Sequence, residues 1–230
     1  MCIIAIQPKT KKISNSILKN CWDNNDDGAG IMYAIDGKII VRKELHSFDK
    51  FIQYKKEADK YGGNVVMHFR ISTSGKIDRN NIHPFKINDS LYFCHNGILD
   101  IEVPHGSLIN DTQIFNNAFL KLMPNKFYHN DGIMNLIQYT IGKNNKFVFF
   151  NELGEYHILN ESAGIWDNGI WFSNSSYLYS NNYSYYSKNE REFMPLECEC
   201  CGNRQNNLKF NNEWNMYMCN DCMKFATIEN

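Results

Sequence analysis

Apolar residues along the chain occur mostly in short runs separated by turn-forming residues, a pattern that predicts buried strands. Asp36-Gly37 lies between two such runs and predicts a hairpin, because this pair supports the positive φ angles of a tight turn. Residues 48–61 instead carry apolar side chains at helical spacing and end at Gly62-Gly63. The predicted strands are 3–6, 31–35, 38–41, 65–70, 91–95, 147–150, 156–159 and 169–172, and the predicted helices are 48–61, 111–122 and 132–141.

The order of these elements bears on the fold class. The strands come in hairpin-like sets with two or three helices between them, which favours an α+β fold over alternating βαβ units. From residue 173 to 189 the composition shifts to Ser, Asn and Tyr, and the later part of this stretch predicts a linker or a loosely packed edge.

Composition and charge exclude some classes of protein. Hydrophobic residues make up 43% of the 230 residues, which is ample for a packed core, and a formal charge of −1 disfavours a globally basic nucleic-acid binder. No apolar stretch approaches the roughly 20 residues of a membrane span. The N-terminus has no basic region typical of a signal peptide, so we expect a soluble, cytoplasmic protein.

A pair of C-x2-C motifs near the C-terminus predicts a structural Zn²⁺ site. Two such knuckles supply the four thiolates of a closed tetrahedral site, here Cys198, Cys201, Cys219 and Cys222, with Cys200 an ambiguous fifth thiol. Strands at 208–210 and 214–218 would form a ribbon between the knuckles. The alternative is a set of ordinary thiols. The ribbon's use is open among docking a partner, binding nucleic acid and bracing the main domain.

Cys2 is a candidate nucleophile. If Met1 is removed, Cys2 carries both a thiol and a free α-amine, whose pKa of about 7.7–8.0 suits a base acting on the thiol beside it. The alternative is a small apolar residue that begins a buried strand.

Cys2 is followed along the chain by further motif segments, in this order: 24–31, 68–75, 81–85, 94–98 and 110–113. With residues 1–4 they make the chain resemble the class II glutamine amidotransferases, which are N-terminal-nucleophile (Ntn) hydrolases, and especially the stand-alone versions of phages and bacteria. The resemblance spans roughly half of the chain. It implies a four-layer α-β-β-α sandwich over residues 1–190, followed by a zinc ribbon over 191–230.

The resemblance also implies roles for individual residues. Cys2 would attack the amide of glutamine, and Asn96 and Gly97 would stabilise the oxyanion. Arg70, helped by Thr73, would hold the substrate α-carboxylate, and Asp111 would hold its α-ammonium. The alternative for Asn96 and Gly97 is an ordinary Asn-Gly turn. The alternative for Arg70 is an arginine that reaches the surface, and the alternative for Asp111 is a helix N-cap.

Departures from the family pattern leave the substrate open. Ile71 and Ser74 stand where many members have an aromatic residue and a histidine, and Asn24 or Asn25 replaces a frequent arginine. We therefore expect glutamine hydrolysis that supplies ammonia to a separate acceptor enzyme, with hydrolysis of another amide as an alternative. A second alternative is a catalytically silent module whose ribbon docks a protein or nucleic acid.

The histidines His68, His83 and His95 raise the question of a catalytic metal. They lack the spacing of a His-rich metal motif and are predicted to be satisfied structural histidines near the pocket. Zinc in the ribbon is then the one expected cofactor.

Overall fold

The computed structural model describes residues 2–72, 75–104, 106–179, 198, 200–201, 208–211 and 216–226. The chain divides into two compact units, Met1–Tyr183 and Ser184–Asn230. The strands are β1 (Ile3–Gln7), β2 (Ala29–Ile35), β3 (Lys38–Glu44), β4 (Val65–Phe69), β5 (Phe85–Asn88), β6 (Leu91–Asn96), β7 (Lys146–Asn151), β8 (Tyr156–Leu159), β9 (Ile165–Asp167), β10 (Ile170–Phe172), β11 (Lys209–Asn211) and β12 (Met216–Met218). The α-helices are α1 (Asn15–Asp23), α2 (Phe48–Lys60), α3 (Asp111–Ala118), α4 (Asp131–Ile141) and α5 (Asn220–Ala226).

The first unit contains two antiparallel sheets. One has six strands in the order β3-β2-β4-β1-β10-β9, and the other has four in the order β5-β6-β7-β8. Strand β1 lies inside the larger sheet between β4 and β10, which fixes the start of the chain at its centre. Two antiparallel sheets with helices between them in sequence confirm the predicted mixture of helices and hairpin-connected strands.

Three apolar clusters hold this unit together. The first joins α1 and α2 to the larger sheet, with Leu18 and Phe51 among its buried members. The second joins α3 and α4 to the smaller sheet through residues such as Phe115 and Ile137. The third contains residues of both sheets, including Ile4 of β1 and Val148 of β7. Strand β1 is buried along its whole length: residues 3–6 are an unbroken apolar run, and the side chain of Gln7 is hydrogen-bonded to Asp59 and to Ile13 N.

The predicted strands and helices of this unit are present, with differences in length. The strand expected over 38–41 continues to Glu44. The helix expected over 111–122 ends at Ala118, because Phe119 leaves the helical region of φ and ψ, and a separate 3₁₀ turn covers Leu120–Leu122. Helices α1 and α5 and strands β5 and β9 were not predicted. Helix α1 did carry a signal, since the Ser14 hydroxyl accepts from Ile17 N at its start.

The second unit contains the short antiparallel pair β11 and β12 and the helix α5. The predicted ribbon strands at 208–210 and 214–218 correspond to β11 and β12, although residues 212–215 lie outside the described residues. Within the described parts of the chain, no helix has the length and apolar character needed to cross a membrane.

Candidate active site

Elements from both sheets bring four of the six predicted catalytic and substrate-binding residues to one cleft; Asn96 is not among the residues that line it, and Thr73 lies outside the described residues. Cys2 precedes β1, Arg70 follows β4, Gly97 follows β6 and Asp111 begins α3. All four line the same cleft, together with Ile71, His83, His95, Asn110 and Thr112. Residues that lie up to about a hundred positions apart in sequence therefore meet at the end of the central strand β1.

The half-buried Cys2 thiol is bracketed by the backbone of Ile71. Its Sγ donates to Ile71 O at 3.3 Å and accepts from Ile71 N at 3.4 Å. Burial raises the pKa of the Cys2 thiol, while the Ile71 amide and Arg70 oppose this effect. Because the thiol has a raised pKa, it needs a base to become a nucleophile near neutral pH.

Arg70 is buried rather than reaching the surface. Its Nη2 donates to Ser72 Oγ at 2.9 Å and its Nη1 donates to Lys76 O at 3.3 Å. Its backbone N–H donates to Gly28 O at 2.8 Å, which places the start of the 68–75 motif against the 24–31 motif. The alternative of a surface arginine is therefore wrong, and the cleft contains a fixed cation.

Asp111 is the first residue of α3, not its N-cap. The cap is Asn110, whose Oδ1 accepts from Gln113 N at 2.9 Å. The Asp111 carboxylate accepts from Thr112 N at 2.8 Å and from Leu99 N at 2.9 Å, so its position is fixed. The helix-cap alternative is wrong, and Asp111 places a carboxylate in the cleft that contains Arg70.

Asn145 packs closely against the Asn96-Gly97 turn. Gly97 has a φ of 149°, and a Cβ added there would lie 2.0 Å from Asn145 Oδ1. Only glycine fits this position. Asn96 is buried, and its carboxamide forms a 2.7 Å hydrogen bond with Ser173 Oγ.

Asn145 and Thr112 also orient the buried His95, a role that the sequence did not reveal. Asn145 Nδ2 donates to Ile141 O, so its Oδ1 accepts from His95 Nε2 at 2.8 Å. His95 Nδ1 then accepts from the Thr112 hydroxyl at 2.7 Å. Both ring nitrogens are engaged, which leaves neither for a metal ion.

His83 lines the cleft and His68 lies beside it, both as neutral rings. Both ring nitrogens of His83 and Nδ1 of His68 have no hydrogen-bond partner among the described residues, so the prediction of satisfied histidines is wrong for these two. Their centroids are 4.1 Å apart, and His68 Nε2 hydrogen-bonds to His95 O at 3.1 Å. Burial lowers the pKa of His68 to about 3 and that of His83 well below its usual value. Among the described residues, the group of side chains able to hold a metal ion contains no histidine.

The residues directly after β10 form hydrogen bonds with the backbone of Cys2 and Ile4, and they too were not predicted. Ser173 Oγ accepts from Ile4 N at 2.8 Å, and Asn174 Nδ2 donates to Cys2 O at 2.7 Å. Isolated Ser and Asn residues carry no sequence pattern that would have identified them. Thr73 and Ser74 lie outside the described residues, so the predicted role of Thr73 stays a prediction.

In the second unit, four cysteine sulfurs lie close enough to hold one metal ion. The Sγ atoms of Cys198, Cys201, Cys219 and Cys222 are all within 4.8 Å of one another, and those of Cys201 and Cys219 are 3.8 Å apart. Tetrahedral Zn–S bonds of about 2.3 Å would place the sulfurs about 3.8 Å apart. The donor set fits zinc, and Cys200 is exposed and not part of it.

The solved structures that are similar to this chain include the following two. One is glutamine phosphoribosylpyrophosphate (PRPP) amidotransferase from B. subtilis complexed with ADP and GMP, and the other is described as the allosteric regulatory enzyme of purine biosynthesis. Each match has 18% identity and a TM-score of 0.43, and covers 75% of this chain and 41% of the other. The chain thus spans less than half the length of either. No family model and no curated protein matches it. Similarity this distant assigns no function, which must come from the side chains of the cleft.

Proposed function

We propose that this chain is a glutaminase of the class II amidotransferase type, in which Cys2 becomes the N-terminal residue after removal of Met1. The observation that carries the proposal is the single cleft lined by Cys2, Arg70, Gly97 and Asp111. It combines a nucleophile with a fixed cation and a fixed carboxylate, which is the set of groups that hydrolysis of a free amino acid amide requires.

Glutamine suits the charges of this cleft. The Arg70 guanidinium can pair with the α-carboxylate through two parallel hydrogen bonds, and Asp111 can attract the α-ammonium. Opposite charges favour a free amino acid over an amide within a peptide chain, whose neighbouring groups are uncharged. We also assign Thr73 to the α-carboxylate, as the resemblance implies.

The proposed reaction begins when the Cys2 α-amine takes the thiol proton and Sγ adds to the carboxamide carbon. Asn96 and the Gly97 N–H stabilise the resulting oxyanion. The α-ammonium returns its proton to the leaving nitrogen, the C–N bond breaks, and ammonia departs. Water then adds to the γ-glutamyl thioester, and cleavage of the C–S bond releases glutamate and restores the thiol.

The fold assignment is part of the same proposal. The three apolar clusters place helices on one sheet, the two sheets on each other and helices on the second sheet, which supports a four-layer α-β-β-α sandwich of the Ntn type. We assign residues 1–190 to this glutaminase domain and 191–230 to a ribbon with a structural Zn²⁺. Ammonia would pass to a separate acceptor enzyme, as in a stand-alone family member.

The first test replaces the nucleophile. Cys2→Ala should abolish glutamate release from glutamine, because nothing else in the cleft supplies a thiol, whereas Cys200→Ser, in an exposed thiol outside the cleft, should leave the rate unchanged. Enzyme-coupled detection of glutamate and of ammonia measures both products. Full activity in Cys2→Ala would contradict the proposal.

A second test examines the N-terminus. The intact mass should lack Met1, and 6-diazo-5-oxonorleucine, a glutamine analogue that alkylates such nucleophiles, should modify Cys2. Retention of Met1 on the whole population would block the α-amine and exclude this mechanism. A catalytically silent module would show neither labelling nor glutamate release.

A further inference from the structure

The Ser173 hydroxyl connects the proposed nucleophile's strand to the proposed oxyanion donor. It accepts from Ile4 N of β1 at 2.8 Å and lies 2.7 Å from the carboxamide nitrogen of Asn96 at the end of β6. Ser173 is fully buried. One oxygen atom therefore joins the two sheets two residues away from Cys2.

Hydrogen-bond accounting indicates how the Asn96 carboxamide is oriented. With its nitrogen towards Ser173, the serine oxygen accepts twice, from Ile4 N–H and from Asn96, and its own proton has no recorded acceptor in the described part of the chain. The buried Asn96 Oδ1 then also has no donor among the described residues. Two polar groups are left unsatisfied, which is costly in a buried place.

A half-turn of the Asn96 carboxamide exchanges its nitrogen and oxygen and reduces this cost, because the Ser173 proton and Asn96 Oδ1 then satisfy each other. Ser173 then donates to Asn96 Oδ1 while it still accepts from Ile4 N. Of these two side chains, the group then left without a partner among the described residues is the NH₂ of Asn96, a pair of donors. A donor without a partner is what stabilisation of a developing oxyanion requires.

We propose that Ser173 is a positioning residue, whose hydroxyl donates to Asn96 Oδ1 and thereby presents the Asn96 NH₂ to the substrate oxyanion. The proposal rests on the proposed glutaminase function, since the orientation of Asn96 matters for catalysis only if Cys2 attacks a carbonyl group. Ser173 itself touches neither the substrate nor the reacting atoms.

The test is a double-mutant cycle between Ser173 and Asn96 in the full-length chain, with kcat and KM for glutamine measured separately. Asn96→Ala should lower kcat by about 100- to 1000-fold, as loss of one oxyanion donor does. Ser173→Ala should lower kcat by about 10- to 100-fold with KM within about threefold, because only the transition state is affected. In the Asn96→Ala background, Ser173→Ala should change kcat by less than about threefold.

A merely structural role gives different results. Loss of the Ile4 contact would then lower the melting temperature of Ser173→Ala, while kcat per folded molecule would match that of the wild type. Alternatively, the reductions of kcat caused by Ser173→Ala and Asn96→Ala would multiply in the double variant. Either result overturns the proposal. Ser173→Thr keeps the hydroxyl and should restore most of kcat. The matched control is Ser90→Ala, because the Ser90 hydroxyl donates to Asn88 Oδ1 within the β5–β6 turn.

A folding failure and a failure of the proposed function can each be distinguished from a failure of the role proposed for Ser173. If Ser173→Ala does not fold, Ser173→Cys provides the comparison, because a thiol is a weaker donor and should give a smaller loss of kcat that again disappears in the Asn96→Ala background. If the wild-type chain shows no Cys2-dependent hydrolysis, the proposed function itself fails. If hydrolysis is present and the cycle shows no coupling, only the role of Ser173 is refuted.

Discussion

Two opposing influences act on the Cys2 thiol, and their balance explains why the cleft needs an adjacent base. Burial raises its pKa, and the Ile71 N–H and Arg70 only partly offset this effect. A protonated thiol is a poor nucleophile. An α-amine on the same residue can remove the proton without a second side chain, and the nearby histidines are neutral and engaged or stacked.

Arg70→Gln should therefore make Cys2 less reactive as well as weaken substrate binding. Loss of the positive charge raises the thiol pKa further, so the midpoint of Cys2 alkylation by iodoacetamide, followed by peptide mass spectrometry, should move to higher pH. The KM for glutamine should rise about 10- to 100-fold through loss of a charged hydrogen bond. Arg79→Gln, in an exposed side chain outside the cleft, is the control. An unchanged alkylation midpoint would show that Arg70 does not influence the thiol.

Gly97→Ala should damage both stability and activity. The new Cβ would overlap Asn145 Oδ1, and alanine is strained at a φ of 149°. We expect the free energy of unfolding to fall by about 2 kcal/mol or more and glutamate release to become undetectable. Urea denaturation followed by fluorescence measures the first quantity. Gly63→Ala, where an added Cβ meets nothing within 4 Å, should have little effect, and equal stability of the two variants would contradict the packing argument.

The residues that the sequence could and could not identify differ in physical kind. Cys2, Arg70, Gly97 and Asp111 belong to local motifs, and the structure brings them to one cleft, although their roles stay predictions. Ser173 reaches Asn96 across 77 positions, and a single hydroxyl or amide has no local pattern. Such partners depend on how distant segments pack, which the fold determines.

At the scale of elements, the short segment after β10 is held by aromatic stacking. The Tyr177 ring, 3% exposed, lies parallel to Phe172 with centroids 3.8 Å apart. This contact fixes the segment that carries Ser173 and Asn174 against the strand of Cys2. An edge rich in Ser, Asn and Tyr is therefore ordered over residues 173–179, while the predicted linker at 180–189 lies outside the described residues.

Tyr177→Ala should reduce the free energy of unfolding by about 3 kcal/mol, the usual cost of removing a buried aromatic ring. It should also lower kcat, since Ser173 and Asn174 lose their support. Tyr177→Phe keeps the stacked ring and should retain most of both properties. Chemical denaturation and the glutamate assay on the same preparations separate the two effects, and a stable but equally inactive Phe variant would point to the hydroxyl instead.

An element could be predicted where its own residues carry a clear signal, such as helical spacing or a turn pair. Helix α2 and the β2–β3 hairpin have clear spacing or turn signals, and both were predicted. Strand β9 has three residues at a sheet edge with little burial, so its pairing with β10 supplies most of its order. Helix α1 was missed although its buried residues follow helical spacing, because the segment is only nine residues long.

At the scale of the whole molecule, the cleft and the cysteine cluster belong to different units of the chain. Every residue that lines the cleft belongs to the first unit, and the four clustered cysteines belong to the second. A short ribbon of this size buries too little apolar surface to fold alone, so metal binding should supply much of its folding free energy. Loss of metal should thus affect the second unit while leaving the proposed glutaminase chemistry intact.

Purified wild-type protein should contain one Zn²⁺ per chain by mass spectrometry of the metal content. Cys219→Ser removes one of four thiolates and should lose the metal, whereas Cys200→Ser, in an exposed thiol outside the cluster, should keep it. Limited proteolysis should then cut Cys219→Ser first within residues 184–230, and glutamate release should stay within about twofold of the wild type, since no cleft residue has changed. Equal metal content in the two variants would refute the zinc site, and loss of glutaminase activity together with the metal would show that the two units depend on each other.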